Sequence, residues 1–283
     1  MFCLTALVLA GCGSTPQLRD GREVAEVMAG SHGWQPLSFD VGMFVLKGYA
    51  RPGPGSDLMV YIEGDGRAWI KRHVPSNDPT PKDPIALRLA IIDPAPKVLY
   101  LGRPCQYTTQ NTMKGCHRRF WTISRFSQLV VEAMDAALTQ AKKRLGAERL
   151  HLIGYSGGGA LAVLLASRRK DIATVITVAG NLDHQAWTRK HRVTPLSDSL
   201  NPVDAAFSVR DRPQVHLVGL EDDVMPPLVA RSFLERMGKP SKARLVTIPG
   251  FDHRCCWVKA WAGLLAQYRP NIMTSKEESN QRE

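Results

Sequence analysis

The chain has 283 residues, of which 44% are hydrophobic and 22% are charged. This length and composition exclude a disulfide-stapled miniprotein and a disordered chain, and they allow one large core. Lys and Arg outnumber Asp and Glu by 37 to 26, giving a formal net charge of +11. The basic clusters lack the interleaved aromatic side chains of a base-stacking surface, so no nucleic-acid partner is expected.

The first element of the chain is an apolar run of about ten residues, whereas a membrane-spanning helix needs about 20. It predicts the hydrophobic region of a secretory signal segment that ends at Leu9-Ala10-Gly11-Cys12. This ending resembles the lipobox of bacterial lipoproteins. The resemblance implies cleavage before Cys12, lipidation of its sulfur and, because Gly rather than Asp follows, an anchor in the outer membrane facing the periplasm. No basic residue precedes position 19, so an upstream start codon stays open.

From residue 38 onward, short β-branched or apolar runs alternate with stretches of helical period, which predicts a mostly parallel sheet with helices on both faces. The predicted strands are 43–49, 58–63, 97–101, 150–155, 173–179, 214–219 and 244–248. The predicted helices are 129–146, 160–168, 227–237 and 253–268. We therefore divide the chain into a signal segment (1–12), a tether with a short helix (13–37), a folded domain (38–270) with a polar insertion (181–213), and a disordered tail (271–283).

A glycine-flanked serine lies between predicted strand 150–155 and predicted helix 160–168. The turn reads Gly154-Tyr155-Ser156-Gly157-Gly158, which resembles the nucleophile elbow of the α/β-hydrolase family. The resemblance implies the α/β-hydrolase fold over residues 38–268, with Ser156 as a nucleophile held at positive φ. A tightly packed turn or a phosphate cradle is the alternative, but it leaves the downstream acidic turn and histidine unexplained.

A serine nucleophile needs a base, and the base needs an acid that orients it. In the family the order along the chain is Ser, then Asp or Glu, then His. The turn after predicted strand 214–219 carries Glu221, Asp222 and Asp223, and the family register, with Asp four residues before Pro226, selects Asp222. Glu221, Asp223 and the earlier Asp183 stay open as alternatives.

The base implied by the resemblance is His253, which follows the last predicted strand and a glycine loop. None of the other seven histidines follows that strand. Acyl transfer also needs two N–H donors for an oxyanion. The resemblance implies Gly157 as the first donor and Asp65 as the second. The segment Glu63-Gly64-Asp65 departs from the family's usual His-Gly-x, so Asp65 would need to turn its carboxylate away, toward Arg67.

The chain has six cysteines. Cys3 lies in the leader and Cys12 would be lipidated, so the cysteines that could form disulfides are Cys105, Cys116, Cys255 and Cys256. An oxidising periplasm favours disulfides. A bond between Cys105 and Cys116 would close a polar loop and stabilise the fold by up to about 3 kcal/mol. Three connectivities of the four thiols remain open from the sequence.

A metal cluster is the alternative use of Cys255 and Cys256, together with Asp252 and His253. The chain has no second ligand pair with zinc-type spacing, so no metal is expected. No dinucleotide-binding or Walker sequence is present either, and no cofactor is expected.

Taken together, the sequence predicts a membrane-anchored serine hydrolase of small-molecule or lipid carboxylic esters. A peptidase or thioesterase of the same fold is the nearest enzymatic alternative. A non-catalytic envelope lipoprotein that uses the fold as a binding scaffold is the alternative from another class of protein, because fold alone does not fix function.

Overall fold

A computed structural model describes residues 20–109, 112–113 and 115–269. The strands in these ranges are β1 (Gln35–Asp40), β2 (Val45–Arg51), β3 (Asp57–Ile62), β4 (Trp69–Lys71), β5 (Val74–Pro75), β6 (Val98–Leu101), β7 (Arg149–Tyr155), β8 (Ile172–Val178), β9 (Gln214–Gly219) and β10 (Ala243–Ile248). The α-helices are α1 (Gly21–Ser31), α2 (Ile85–Ile92), α3 (Gln128–Arg144), α4 (Gly157–Ala166), α5 (His184–His191), α6 (Pro227–Met237) and α7 (Trp257–Tyr268). The predicted signal segment, its Cys12 and the predicted tail lie outside the described residues.

Eight of these strands form one sheet in the order β1-β2-β6-β3-β7-β8-β9-β10. Strand β2 pairs antiparallel with both β1 and β6, and the pairs from β6 to β10 are parallel. The central strands are buried along nearly their whole length, as expected for a sheet covered on both faces. The predicted parallel sheet with helices on both faces is therefore present.

Two apolar clusters fill the two sides of the sheet. One contains the buried faces of α3, α4 and α6, and the other contains those of α1, α2 and α7. Helix α3 shows why the sequence forms these layers, since its buried residues recur at helical spacing while Lys142, Lys143 and Arg144 occupy its last turn. Basic side chains at that end interact favourably with the helix dipole.

The N-terminal region differs from the predicted tether. The short helix is present as α1, but its Ala25 and Ala29 are fully buried, and β1 begins at Gln35, before the predicted boundary at residue 38. The fold thus includes residues from Asp20 onward. Strand β1 lies at the edge of the sheet, and most of its residues are exposed. Its sequence therefore lacks the clear alternation of apolar and polar residues that predicts a strand.

Most other boundaries agree within a few residues, and β9 and α6 match to the residue. The last helix is the main exception, because it begins at Trp257 and leaves residues 253–256 in a loop. The short hairpin β4–β5 and the helix α2 were not predicted. Among the described residues, no helix is both long and apolar enough to cross a bilayer.

Candidate active site

Ser156 occupies the sharp turn between β7 and α4, with φ 52° and ψ −119°. The turn is fixed by backbone hydrogen bonds, since the Ser156 N–H donates to Val178 O (2.9 Å) and its carbonyl accepts from Asn181 N (3.1 Å). Two flanking glycines allow the close approach, because a Cβ on Gly154 would lie 2.2 Å from Gly158 O and one on Gly158 would lie 2.2 Å from Ile62 O. The strained turn that the motif predicts is therefore present.

His253 connects Ser156 to Asp222 through its two ring nitrogens. Its Nε2 lies 3.1 Å from Ser156 Oγ, and its Nδ1 lies 2.9 Å from Asp222 Oδ2. With a proton on Nδ1, the ring donates to Asp222 and accepts the hydrogen bond of the serine hydroxyl. The three predicted side chains thus form one hydrogen-bonded chain, although their positions in sequence span nearly 100 residues.

Asp222 is held rigidly at the carboxyl end of β9. Its side chain is fully buried, and its Oδ1 accepts from the N–H groups of Val224 (2.9 Å) and Met225 (2.6 Å). Oδ2 is left free to bond His253. The neighbours Glu221 and Asp223 are exposed, so the register chosen from the sequence is the one that places a carboxylate against the imidazole.

Asp183, the other acidic alternative, has a different environment. Its carboxylate caps α5 by accepting from Gln185 N and Ala186 N, both at 3.0 Å, and it also accepts from Ser232 Oγ (2.6 Å) and Asn201 Nδ2 (3.0 Å). Burial alone would raise the pKa of Asp183, but these hydrogen bonds outweigh it and lower the pKa. Its contacts are those of a structural carboxylate.

The loop that carries His253 is tied down on both sides. Tyr155 Oη donates to His253 O (2.9 Å), and the two rings lie 5.4 Å apart. Asp252 Oδ1 accepts from Arg254 N and Cys255 N, and these bonds lower the pKa of Asp252, which is solvent-exposed. The imidazole therefore projects from a fixed backbone toward Ser156.

The two predicted oxyanion donors, Gly157 and Asp65, belong to segments that pack against each other. Gly157 is the first residue of α4, where helix N–H groups lack an intrahelical acceptor. A Cβ on Gly157 would lie 2.0 Å from Asp65 Oδ1, so the segment that carries Asp65 packs directly against the elbow. Gly64 also approaches Ser156, since a Cβ there would lie 3.2 Å from Ser156 Cβ.

The carboxylate of Asp65 differs from its predicted orientation. It does not pair with Arg67, which is exposed, but forms ion pairs with Arg103 and Arg125, whose side chains are each 4% exposed. Burial alone would raise the pKa of Asp65, but the two guanidinium groups outweigh it and lower the pKa. Two buried cations compete better for a carboxylate than one exposed arginine does.

Arg103 and Arg125 were both missed by the sequence reasoning. Arg103 follows β6, the neighbour of β3 in the sheet, so its position at the carboxyl edge could have drawn attention to it. Its guanidinium also donates to Arg125 O (2.7 Å). Arg125 lies in an irregular segment before α3, and no local pattern marks it.

Glu63 is a further buried carboxyl beside this site. Its Oε1 accepts from Gly64 N (2.9 Å), and its Oε2 accepts from Tyr100 Oη (3.0 Å). Burial raises the pKa of Glu63 to about 7, despite these stabilising hydrogen bonds. Glu63, which stands where the family usually has histidine, thus holds the backbone of the Asp65 segment in place through Gly64 N.

The cysteines lie in two separate places. Cys105 and Cys116 are joined in the structure with their Cα atoms 5.6 Å apart, a usual spacing for a disulfide, and Cys255 is joined to Cys256. Within residues 20–109, 112–113 and 115–269, no group of three or more His, Cys, Asp or Glu side chains is arranged to hold a metal ion. The linkage between Cys105 and Cys116 in the native protein stays a prediction.

Comparison with known proteins agrees with this architecture. A family model described as alpha/beta hydrolase fold matches residues 108–201, a segment that includes Ser156 and ends before Asp222. No curated protein matches the chain.

Solved structures match over most of the chain at low sequence identity. A putative lipase from Acinetobacter baumannii matches with a TM-score of 0.61 and 14% identity, covering 95% of this chain and 100% of the lipase. An esterase from Pyrococcus furiosus matches with a TM-score of 0.59 and 13% identity, covering 85% of this chain and 95% of the esterase. An acylaminoacyl peptidase from Pyrococcus horikoshii has a TM-score of 0.56 and 11% identity, and the match covers 78% of this chain but 37% of the peptidase.

The protein therefore has the α/β-hydrolase fold, and the fold class predicted from the sequence is confirmed. Identities of this size show the fold alone. The reaction and its substrate must be argued from the site itself.

Proposed function

We propose that this protein is a serine hydrolase that cleaves carboxylic esters through an acyl-enzyme. The observation that carries the proposal is the chain of hydrogen bonds from Ser156 through His253 to Asp222. Ser156 Oγ attacks the ester carbonyl while His253 Nε2 accepts its proton, and the same proton passes to the departing alcohol. Water then attacks the acyl-enzyme by the same route and releases the carboxylic acid.

Asp222 holds the imidazole in the tautomer that this cycle needs and stabilises the imidazolium that forms. The N–H groups of Gly157 and Asp65 would donate to the oxyanion of the tetrahedral intermediate, because both belong to backbone that meets beside Ser156. The carboxylate of Asp65 does not oppose this charge at full strength, since Arg103 and Arg125 neutralise it. A small-molecule or lipid ester is the proposed substrate class.

Labelling with a fluorophosphonate probe tests this proposal, with Ser156→Ala as the control and circular dichroism to show that both proteins are folded. We expect covalent labelling of the wild type at Ser156, no labelling of the variant, and ester turnover by the wild type only. Turnover confined to thioesters or peptides would keep the nucleophile and replace the substrate. Folded wild type that neither labels nor exceeds Ser156→Ala on any of these substrates would establish the binding scaffold instead.

We also propose that the protein is a lipoprotein of the bacterial envelope, anchored in the outer membrane through Cys12. The proposal rests on the residues Leu9-Ala10-Gly11-Cys12 and the short apolar run before them. Mass spectrometry of the membrane fraction should find a lipid-modified Cys12 at the mature N-terminus. A mature protein that starts at Met1 without lipid, or that is fully released into the soluble fraction, would contradict the anchor.

A further inference from the structure

A large cavity opens beside the Asp65 segment. Its volume is about 670 Å³, and three segments enclose it: the hairpin β4–β5, residues 117–125 before α3, and residues 187–196 of the insertion. The hairpin and the insertion are in contact, since Arg72 at the hairpin turn donates to the carbonyls of His191 (3.5 Å) and Arg192 (3.3 Å). The hairpin and the insertion thus form a continuous part of the wall, and residues 117–125 complete it.

The charged side chains that line this cavity are positive. Among the described residues that line it, none is Asp or Glu, whereas six are basic: Lys71, Arg72, Arg118, Arg119, Arg125 and Arg192. Arg119 has a partner in Asp198 (3.0 Å), and Arg125 is paired with Asp65. Lys71 and Arg192 have no ion-pair partner among the residues that the structure describes. Cations gathered around a cavity without compensating carboxylates favour an anionic occupant.

Apolar side chains also line the cavity. Trp69 and Ile123 are 39% and 38% exposed, and the insertion contributes Trp187 and the buried Leu196. Exposed aromatic and aliphatic side chains that line a concave surface are typical of a ligand site. A ligand that satisfies both parts of the lining has an apolar chain and an anionic group.

The cavity is connected to the candidate active site by direct contacts. Arg125 lines the cavity and pairs with Asp65, whose carboxylate lies against Gly157 next to the nucleophile. On the other side, the indole N–H of Trp187 donates to Val224 O (2.8 Å) in the same turn as Asp222. The cavity therefore adjoins the Asp65 segment and the turn of Asp222, the two segments that flank Ser156.

We infer that this cavity is a subsite for an anionic group of the substrate, so that the preferred substrate is an amphiphilic acyl ester bearing a phosphate or a carboxylate. The inference rests on the proposed ester hydrolase and adds its substrate class. The apolar chain lies along Trp69, Trp187 and Leu196, and the anion is held by Lys71 and Arg192. The group can belong to the acyl part or to the alcohol part of the ester.

Matched pairs of substrates test the inference and separate these two sources. In the first pair, para-nitrophenyl octanoate is compared with the para-nitrophenyl monoester of suberic acid, which has the same chain length and a terminal carboxylate. In the second pair, monooctanoylglycerol is compared with its glycerol phosphate counterpart. We expect a higher kcat/KM for the anionic member of at least one pair, and the pair that shows it identifies which part of the ester carries the anion.

The double variant Lys71→Gln/Arg192→Gln should lower the ratio of anionic to neutral kcat/KM by about 10-fold to 100-fold, the range expected when charged hydrogen bonds are lost. Raising the salt concentration should lower the same ratio in the wild type. Lys170→Gln is the matched control. Lys170 is exposed and lies just before the amino end of β8, whereas the candidate active site lies at the carboxyl ends of the parallel strands. An equal kcat/KM within both pairs, or a ratio that the double variant does not change, would overturn the inference while leaving the ester hydrolase intact.

A binding measurement keeps the subsite testable without turnover. Octyl phosphate is titrated into folded Ser156→Ala by calorimetry, with and without the two Gln substitutions. We expect saturable binding that weakens at least about tenfold in the substituted protein. If the wild type hydrolyses no ester but octyl phosphate still binds, the proposed hydrolase is contradicted and the anion site is kept. If octyl phosphate does not bind, the anion site is overturned.

Discussion

The two walls of the candidate active site are built in different ways. On one wall, Ser156, Asp222 and His253 each follow the carboxyl end of a parallel strand, and backbone turns hold them in place. On the other wall, the Asp65 segment is held by the buried ion pairs with Arg103 and Arg125 and by the carboxyl of Glu63. In the proposed mechanism, the first wall moves a proton, whereas the second sets the shape and charge around the oxyanion.

The difference matters because the two kinds of support respond differently to substitution. Hydrogen bonds from turn backbone survive changes in distant side chains. Buried ion pairs fail as a unit, since removal of one partner leaves a charge without compensation. We therefore expect substitutions in the first wall to reduce mainly turnover, and substitutions in the second wall to reduce both the free energy of unfolding and turnover.

The largest expected effect is on the first wall. Ser156→Ala and His253→Ala should each lower ester turnover by several orders of magnitude, because either change removes the proton transfer. The double variant should lose little more than each single variant, since the residues act as one unit. Initial rates with one chromogenic ester, measured on proteins of equal circular dichroism, check this. Losses that simply multiply in the double variant would contradict the proposed proton relay.

The acid of the first wall should show the next largest effect. Asp222→Asn should lower kcat on the order of 10⁴-fold, because the imidazole loses its orienting acceptor and its preferred tautomer. The buried Asp183 gives a matched control. Asp183→Asn should leave turnover close to wild type and lower the free energy of unfolding by about 1 kcal/mol, because the amide nitrogen that replaces Oδ2 cannot accept from Ser232 Oγ. The reverse outcome would assign the acid to Asp183.

The second wall is tested through its ion pairs. Arg103→Gln should lower the free energy of unfolding by about 3 to 5 kcal/mol, because Asp65 loses a buried partner. It should also reduce kcat on the order of 10²-fold, since the Asp65 donor is displaced. Urea unfolding and ester kinetics measure the two effects.

The exposed pair between Arg149 and Asp57 (2.8 Å) is the control for that change. Arg149 is 47% exposed, so Arg149→Gln should cost less than about 1 kcal/mol and leave turnover unchanged. Similar losses in the two variants would show that the second wall has no special dependence on buried charge.

The same contrast explains what could be predicted from the sequence. Ser156, Asp222 and His253 were selected through the resemblance to the α/β-hydrolase family, whose residue order and register could be applied because each residue follows a strand with a readable apolar run. A histidine inside a strand has a different environment, as His216 shows: it is buried between Thr177 and Gln214, and burial lowers its pKa to about 3.

The second wall was less predictable because its contacts are distant in sequence and have no periodic pattern. Asp65 lies 38 residues from Arg103 and 60 from Arg125, and local reasoning chose the nearby Arg67 instead. The hairpin β4–β5 has strands of three and two residues, too short for an alternation to be visible. The hairpin was therefore not predicted, and neither was the part of the cavity wall that it forms.

The carboxyl of Glu63 should make the stability of the protein depend on pH. Burial raises the pKa of Glu63 from 4.5 to about 7. Below pH 4.5 the carboxyl is protonated in both the folded and unfolded chains, and between 4.5 and 7 the unfolded chain loses the proton first. The contribution of Glu63 to the free energy of unfolding should therefore fall across this window, by about 3 kcal/mol at most, and level off above it.

Glu63→Gln isolates this contribution, because glutamine keeps an acceptor for Gly64 N and cannot ionise. The difference in free energy of unfolding between the wild type and Glu63→Gln is measured with urea at pH 5 and pH 8. We expect the wild type to lose stability relative to the variant as the pH rises. A difference that is the same at both pH values would mean that Glu63 is ionised throughout, and the second wall would then hold a buried negative charge beside the oxyanion rather than a neutral acid.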